Sequence, residues 1–547
     1  MAFRIVLLSG SVAAGKSTLV QHLKSEFPTE HIHVLKTKDL LRELGTRKSK
    51  RDFPAERRAL QELGDELDAQ THGRWVRDAL SALINDYLGT EAAPIFVVDA
   101  VRILPQIKAI REAYGFSVLH IHLTAPDEEL TRRYSQRNSD LKELPSYEEV
   151  KRNPTEARVR DLEKTADVVM DTNACTPRDV LVRAAIHLGL FSREYGRLVD
   201  VIVGGQYGSE GKGHIASFLA REYSVLVRVG GPNAGHKVYF DDAPYTHHQL
   251  PSGTLRNPSA MLVIAPGSVV NPEALLKEAQ ECKVDHKRLS IDPQTMIIAE
   301  KDRKAEAGLQ RRISSTGQGV GAATARRILD RGKTVMLAKD CRSLQPFVRD
   351  TWELLETSYK SGVRTLVEGT QGAGLSLFHG VYPYVTSRDT TVSGCLSEAG
   401  IPATRLLKSI MVCRTYPIRV QSPRGGTSGP LSQEVDWEQV AKRANVKVDE
   451  IRTSERTSTT NRERRVGAFD WTLLRKSSAL NGPTDLAITF TDYLHPQNAE
   501  ARRYDQLTLE TIRFIEEVER VGAAPVSLIS TRFDFRSIID RRTWRIV

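Results

Sequence analysis

A chain of 547 residues is longer than one hydrophobic core usually organises, so we expect at least two domains. Hydrophobic residues make up 40% and charged residues 27% of the chain, and no apolar run approaches the roughly 18 residues that cross a bilayer. The net charge is +10, but basic and acidic residues are interleaved. This pattern argues against direct binding of nucleic acid and favours phosphorylated small molecules as ligands.

The cysteines and the N-terminal stretch indicate the compartment. The 5 cysteines lie far apart and never as CxxC, which argues against a disulfide framework and against structural zinc. The apolar stretch 5–8 is too short for the core of a signal peptide. We therefore predict a cytoplasmic protein that carries no export signal and makes no contact with a membrane.

The first motif is a phosphate-binding loop. Residues 4–9 predict a short buried strand, and Gly10-Ser-Val-Ala-Ala-Gly15-Lys16-Ser17 follows it before a periodic helix. This is the GxxxxGKS motif in its strand-to-helix context. Its backbone amides would surround phosphate oxygens, Lys16 would reach the outer phosphates, and the Ser17 hydroxyl would ligate Mg²⁺. Asp99, which ends the strand predicted at 95–99, is the candidate carboxylate that holds Mg²⁺ through water.

The rest of residues 1–192 resembles the P-loop nucleoside and deoxynucleoside monophosphate kinases. A segment rich in arginine follows the strand predicted at 117–123, and such arginines would neutralise charge on a transferred phosphoryl group; a solvated helix face is the alternative. The arginines are Arg132, Arg133 and Arg137. The resemblance suggests an acceptor pocket formed by Asp39, Arg58, Gln61 and Arg102. Whether this module is an active kinase or an inactive partner is left open.

A second nucleotide-binding module is predicted at 198–547. A buried strand predicted at 198–203 runs into the glycine-rich turn 204–213, which contains Lys212. This turn is one residue longer than the ordinary phosphate loop, and Gly213 stands where Ser or Thr would ligate magnesium. The next predicted strand leads into Asn233-Ala-Gly235-His236, which places a histidine among glycines that permit close approach of a substrate.

From these residues onward the sequence resembles adenylosuccinate synthetase, whose motifs follow in family order to the C-terminus. They include Leu250-Pro-Ser-Gly253, Glu368-Gly-Thr-Gln371, the Thr459-Thr460-Asn-Arg462 segment and Thr489-Phe490-Thr-Asp492. The resemblance implies a ligase that phosphorylates the 6-oxo group of a purine nucleotide with a nucleoside triphosphate. The amino group of L-aspartate then displaces the phosphate. It also implies Mg²⁺ as cofactor and a homodimer.

The roles that this resemblance implies fall into four groups. The catalytic residues would be His236, Ser209, Lys212 and Gln371, with the Gly235 carbonyl as a magnesium ligand. Nucleotide and aspartate would be bound by Asn233, Thr316, Thr386, Thr459, Thr460 and Arg462. Arg326 would be donated across a dimer interface. The triphosphate would contact Gly208, Gly211, Gly213, Arg464, Asp492 and Ser530.

Two departures from the family pattern decide the expected substrates. Ser209 stands where the family carries an aspartate that accepts the N1 proton of inosinate (IMP), and the related phage synthetases with serine there use deoxyguanylate (dGMP). We therefore favour dGMP, with 2-amino-2′-deoxyadenylosuccinate as product. The triphosphate is ATP or GTP, and Phe490, in place of the family's lysine, favours ATP.

Both modules alternate predicted buried strands with helices. We therefore expect an α/β fold with two P-loop-type modules, each a mainly parallel sheet flanked by helices. Two alternatives to the dGMP ligase remain: an ordinary synthetase acting on IMP, and a nucleotide-sensing or phage-defence regulator without ligase turnover.

Overall fold

A computed structural model describes residues 3–28, 30–87, 91, 93–137, 142–191, 196–240, 243–332, 334–422, 427–457, 461–534 and 537–543, apart from the side chains of 309–311. The chain divides into two compact units, Met1–Arg193 and Glu194–Val547. Among the described helices, none combines the length and apolarity that a membrane span requires.

The first unit is a three-layer α/β fold. Its five-stranded sheet has the order β2-β3-β1-β4-β5, and the paired strands run parallel. The central strands are runs of Ile, Val, Leu and Phe that are buried on both faces, as helices on both sides of a parallel sheet require. The elements are β1 Arg4–Ser9, α1 Lys16–Glu26, β2 Ile32–Leu35, α2 Thr37–Ser49, α3 Arg57–Thr71, α4 Arg74–Tyr87, β3 Ile95–Val98, α5 Leu104–Tyr114, β4 Val118–Thr124, α6 Asp127–Ser135, α7 Tyr147–Lys151, α8 Pro154–Arg158, β5 Val168–Asp171 and α9 Pro177–His187.

The second unit is built on a nine-stranded sheet of order β12-β10-β7-β14-β6-β15-β19-β20-β21. The described pairings are parallel except that of β20 with β21. The elements of this unit are β6 Val199–Gly204, α10 Lys212–Leu219, β7 Val225–Arg228, β8 His236–Phe240, β9 Ala243–His247, β10 Met261–Ile264, β11 Val269–Val270, α11 Pro272–Glu281, β12 Leu289–Ile291, β13 Met296–Ile297, α12 Glu300–Ile313, α13 Val320–Leu329, α14 Thr351–Lys360, β14 Thr365–Gly372, α15 Val392–Ala399, β15 Leu406–Arg414, β16 Ile418–Val420, β17 Glu434–Val435, α16 Trp437–Ala444, α17 Val448–Ser454, β18 Arg464–Gly467, α18 Trp471–Asn481, β19 Asp485–Thr489, α19 Leu509–Gly522, β20 Val526–Ser530 and β21 Ile538–Asp540.

Each unit opens with the same strand–turn–helix geometry. Helix α1 begins at Lys16 after Gly15, whose φ is 97°, and α10 begins at Lys212 after Gly211, whose φ is 88°. Such left-handed φ values favour glycine, because a Cβ atom would be strained there. The turn therefore presents both lysines at a helix N-terminus, where backbone amides favour phosphate. The predicted α/β class with mainly parallel sheets is confirmed for both units.

Candidate active sites

A cavity of about 1140 Å³ in the second unit is lined by the glycine-rich turn, the start of β8, the end of β14, β16 and the start of β18. Most of the residues predicted for the ligase site lie on its wall. These are Gly208, Ser209, Gly211, Lys212, Gly213, Asn233, Gly235, His236, Thr316, Gln371, Thr386, Arg464 and Asp492.

Glu210 organises the glycine-rich turn from inside. Its Oε1 accepts hydrogen bonds from the backbone amides of Gln206 and Gly208, at 3.2 and 2.7 Å. Its Oε2 pairs with Lys212 Nζ at 2.5 Å, and both side chains are buried. A buried ion pair of this kind is stable only when its remaining hydrogen-bonding groups are satisfied. The lysine is therefore held in place before any phosphate arrives.

His236 is buried against an acid, an arginine and a serine. Its Nδ1 contacts the Glu368 carboxylate, and Arg228 Nη1 lies 2.9 Å from the same carboxylate oxygen. Glu368 also accepts from the Ser252 amide at 2.7 Å. Burial, reinforced by the positive charge of Arg228, lowers the pKa of His236 to about 4. The imidazole is therefore neutral near pH 7. Its Nδ1 lies between the Glu368 carboxylate and Arg228 Nη1, which is 2.6 Å away.

Close packing explains the glycine at 213. A Cβ atom placed there would lie 2.8 Å from the Cβ of His236, closer than two such atoms approach. The serine or threonine of an ordinary phosphate loop is thus excluded at this position, because it would displace the histidine. Sequence reasoning noticed the missing hydroxyl but not this cause.

Ser209 is itself exposed but contacts a charged network whose Arg414 and Glu455 side chains are buried. Arg464 Nη2 donates to Ser209 Oγ at 3.2 Å, and Arg414 Nη1 donates to its carbonyl at 3.3 Å. The Glu455 carboxylate accepts hydrogen bonds from Arg414 Nη2 and Arg464 Nη1, at 2.6 Å each. It also accepts from Tyr493 Oη at 2.9 Å. Although burial raises the pKa of Glu455, the two arginines lower it to about 2. The serine that replaces a carboxylate is therefore tied to a fixed acid–arginine cluster, which sequence reasoning missed.

Asp492 lines the cavity together with Phe490 and Phe533. Its Oδ1 is buried and has no hydrogen-bond partner among the described residues, and burial raises the pKa of this carboxyl to about 7. The Arg414 guanidinium lies 4.0 Å from the centre of the Phe490 ring. A cavity that offers a carboxyl group and aromatic rings suits a nucleobase.

Two of the predicted residues that line the cavity contact each other, three predicted residues do not line it, and two lie outside the described residues. Asn233 and Thr316 contact each other, because the Thr316 hydroxyl donates to Asn233 Oδ1 at 3.1 Å. Arg326, Arg462 and Ser530 do not line the cavity. Arg326 pairs with Asp302 at 2.7 Å, and Arg462 lies against the carbonyls of residues 314 and 315. The Ser530 hydroxyl donates to the Arg532 carbonyl. Thr459 and Thr460 lie outside the described residues. The roles of these five, like those of the residues that line the cavity, stay predictions.

The first unit has its own cavity of about 770 Å³ around the phosphate loop. It is lined by Lys16, Ser17, Gln61, Asp99 and Arg102, and by the three arginines of the predicted cluster, Arg132, Arg133 and Arg137. The lysine donates to the carbonyls of its own loop at 2.6 and 2.9 Å. Burial, together with the arginines around it, lowers the pKa of Lys16 to about 7. The site thus holds an excess of positive charge that an oxyanion would compensate.

The structure changes one assignment in the acceptor pocket. Arg57 is buried and lines the cavity, whereas its neighbour Arg58 is exposed and does not. Arg57 pairs with Glu143 through two nitrogens. The sequence suggested Arg58 for the pocket, but helix α3 directs Arg58 to solvent and places Arg57 in the cavity. Asp39 also does not line the cavity.

Each cavity contains oxygen atoms that could ligate magnesium. Among the described residues no cluster of three or more His, Cys, Asp or Glu side chains is arranged to hold a metal ion. The Ser17 hydroxyl and Asp99 carboxylate both reach the first cavity. Oxygen donors of this kind fit Mg²⁺ that is held mainly by substrate phosphates. In the second cavity the candidate magnesium ligands are the Gly235 carbonyl and the Ser209 hydroxyl. These are weaker ligands than a carboxylate, and the carboxylate of the turn, Glu210, is already paired with Lys212.

Comparison with known proteins agrees with this arrangement. The adenylosuccinate synthetase family model matches residues 201–342 and 334–498, and an AAA domain model matches residues 6–154. Adenylosuccinate synthetases from Pyrococcus sp. (strain ST700) and Methanococcus aeolicus are each 37% identical over 350 residues. Those alignments cover 62% of this chain and 98% and 99% of the relatives, respectively.

Two solved structures share the fold of the second unit. The fully ligated adenylosuccinate synthetase from Plasmodium falciparum aligns with a TM-score of 0.56 at 20% identity, covering 63% of this chain and 100% of that one. The cyanophage S-2L succinoaminodeoxyadenylate synthetase, bound to dGMP and to dATP as an energy donor, aligns with a TM-score of 0.53 at 26% identity. That alignment covers 64% of this chain and 96% of the phage protein.

Proposed function

The chain belongs to the adenylosuccinate synthetase family, and from this premise we propose that its second unit joins L-aspartate to dGMP. In the first step N1 of the purine gives up its proton to solvent, the oxygen on C6 attacks the γ-phosphorus of a nucleoside triphosphate, and the nucleoside diphosphate leaves. In the second step the amino group of aspartate attacks C6, inorganic phosphate leaves, and the attacking nitrogen releases a proton. The product is 2-amino-2′-deoxyadenylosuccinate.

The observation that carries the choice of dGMP is the position of Ser209. Its side chain ends at a hydroxyl that accepts from Arg464 at 3.2 Å, where the family pattern has a carboxylate. A serine side chain is shorter than that of aspartate, so it leaves room beside N1 of the purine for a 2-amino group. The phage relative that was solved with dGMP supports the same substrate.

His236, Gln371 and Lys212 fit the phosphoryl step. Lys212 at the helix N-terminus would hold the triphosphate, and Gln371 would donate toward the C6 oxygen. His236 is neutral before substrate binds; the negative charge of the phosphoryl group would raise its pKa and allow the imidazolium to stabilise the leaving phosphate. Asn233, Thr316 and Thr386 would contact the monophosphate nucleotide, and the Thr459–Arg462 segment would bind aspartate.

The proposal also includes the triphosphate that is used, the bound metal and the oligomeric state. Asp492, Phe490 and Phe533 would receive the triphosphate base, and we favour ATP because the phage relative was solved with dATP as energy donor. When bound, Mg²⁺ would neutralise the phosphates. The homodimer rests on the family resemblance alone, because Arg326, the residue expected to reach a partner's site, pairs with Asp302 within its own subunit.

The alternatives are an ordinary synthetase that uses IMP, favoured by the names of the archaeal relatives, and a regulator that binds nucleotides without turnover. Purified protein is incubated with aspartate, ATP or GTP, and either dGMP or IMP, and the products are identified by mass. The dGMP proposal requires a succino-nucleotide from dGMP. Turnover of IMP alone supports the first alternative, and no succino-nucleotide from any pair supports the second.

A second activity is favoured by the charge around Lys16. Seven basic side chains line this cavity, at positions 16, 38, 57, 102, 132, 133 and 137, against five acidic ones, at 65, 68, 99, 129 and 156. Arg57 and Arg102 are themselves paired with Glu143 and Glu156. An acceptor that carries its own phosphate, together with a donor triphosphate, would balance this excess. We therefore propose that the first unit transfers a phosphoryl group to a nucleoside monophosphate, with Ser17 and Asp99 holding Mg²⁺. Conversion of a monophosphate to a diphosphate by ATP in the absence of aspartate tests this activity.

A further inference from the structure

One face of helix α3 forms a polar floor in the cavity of the first unit. Residues 61, 64, 65 and 68 follow the spacing of a single helical face, and all four line the cavity. The middle of this face is Gly64, where an added Cβ atom would meet only Leu41 among the described residues, at 3.7 Å. The face therefore offers a flat gap between two polar side chains, Gln61 and Asp68.

Apolar side chains surround this gap. Leu41, Leu60 and Trp75 line the same cavity and are largely buried. A slot that is open above a glycine and walled by aliphatic and aromatic groups suits a planar ring. We therefore locate the base of the acceptor nucleotide here, an inference that rests on the proposed kinase activity.

Asp68 is fixed in this slot as a hydrogen-bond acceptor. Trp75 Nε1 donates to its Oδ1 at 2.6 Å, and Gln106 Nε2 donates to its two oxygens at 2.9 and 3.1 Å. The side-chain oxygen of Gln106, Oε1, accepts a hydrogen bond from the backbone amide of Arg102 at 2.9 Å. These contacts prevent the Gln106 amide from turning its oxygen toward a base. What the site presents is a carboxylate, which only accepts.

Gln61 supplies the complementary group. Its Nε2 is buried and has no hydrogen-bond partner among the described residues, and a buried donor without a partner is destabilising because it has lost its contact with water. The slot thus combines an acceptor-only carboxylate with an amide about two turns away on the same helix face. A ligand group that accepts from Gln61 Nε2 removes the desolvation penalty of that amide.

We propose that the acceptor of the first unit is a guanine nucleoside monophosphate, whose N1–H and 2-amino groups donate together to Asp68 Oδ2 while O6 accepts from Gln61. Asp68 Oδ1 is already occupied by Trp75 and Gln106. Adenine is rejected because its N1 is an acceptor and would face the carboxylate, and cytosine is rejected for the same reason at N3. Hypoxanthine keeps N1–H and O6 but lacks the 2-amino group. It therefore loses one of the contacts.

The test uses the full chain with ATP and Mg²⁺, without aspartate so that the ligase cannot turn over. GMP, dGMP, IMP, AMP and CMP are compared as acceptors. We expect kcat/KM for the guanine nucleotides to exceed that for AMP and CMP by about 100-fold or more, with IMP about 10-fold below GMP, as the loss of one or two paired buried contacts implies. In Asp68→Asn the GMP to IMP ratio falls toward 1.

The control is Glu62→Gln, an exposed position on the same helix that does not line the cavity; its ratios equal those of the wild type. Thermal unfolding of both variants checks that the fold is kept. Phosphorylation of AMP as efficient as that of GMP overturns the assignment, and so does a GMP to IMP ratio that Asp68→Asn leaves unchanged in a folded protein. If no monophosphate is phosphorylated at all, the proposed kinase activity fails, and this assignment fails with it.

Discussion

The Ser209 hydroxyl accepts a hydrogen bond from Arg464, whose Nη2 lies 3.2 Å away. The same guanidinium pairs with Glu455 at 2.6 Å, so the serine is positioned by a charge that is itself fixed. The backbone of Ser209 is left-handed, with φ of 55°, a conformation that aspartate also tolerates. The residue can therefore be exchanged for the family's aspartate without breaking the turn.

Ser209→Asp should reverse the choice of nucleotide. The longer carboxylate would occupy the space that we assign to the 2-amino group, so kcat/KM for dGMP should fall about 10- to 100-fold while that for IMP rises. Ser209→Ala removes the hydroxyl but keeps the space, and it should retain the preference for dGMP. Steady-state rates with each nucleotide measure the ratio. An unchanged ratio in Ser209→Asp would show that this residue does not select the base.

Glu455→Gln should destabilise the second unit strongly. The change leaves the buried guanidiniums of Arg414 and Arg464 without a carboxylate, a loss that typically costs about 3–5 kcal/mol. The matched control is Glu438→Gln, which breaks the exposed Glu438–Arg452 pair and should cost no more than about 1 kcal/mol. Urea unfolding of both variants gives the two free energies. Equal losses would mean that the buried network contributes little.

Stability should decline below pH 6.5 because of buried neutral histidines. Burial lowers the pKa of His214 to about 4, and its Nε2 has no partner among the described residues. The unfolded chain binds a proton near pH 6.5 and the folded chain does not, so stability is full above pH 6.5 and is lost as the pH falls toward 4. Between pH 7 and 5 the wild type should lose about 2 kcal/mol more unfolding free energy than His214→Phe. Parallel losses in the two proteins would contradict the assignment.

The two activities should be separable by single substitutions. Lys16→Ala removes the phosphate-loop lysine of the first unit and should lower phosphorylation of monophosphates by at least about 100-fold, with little effect on ligation. His236→Asn should lower ligation about 10²- to 10⁴-fold and leave the kinase reaction intact. Both rates are measured on each variant. Loss of both activities in either variant would show that the two sites do not work independently.

The sequence was sufficient for the parts of this molecule that depend on local pattern. The buried strand at Arg4–Ser9, the phosphate loop after it and the glycine-rich turn at 204–213 follow from hydrophobic runs and glycines that must be contiguous. The family followed from motifs in order. These features are encoded over about ten residues each, so no tertiary information is needed to see them.

The rest depends on contacts between distant residues. Glu210, Glu368 and Glu455 decide how Lys212, His236 and Ser209 are held, but a lone glutamate in a sequence carries no sign of its partner. Glu368 even stood inside a recognised motif without an assigned role. Similarly, Arg57 and Arg58 are indistinguishable by type, and only the phase of α3 decides which one is buried.

The central claim is tested most directly by competition. The protein is incubated with ATP, Mg²⁺, aspartate and equal concentrations of dGMP and IMP, and the two succino-nucleotides are quantified by mass spectrometry. We predict that 2-amino-2′-deoxyadenylosuccinate dominates the products by at least about tenfold. Adenylosuccinate as the dominant product would contradict the dGMP assignment.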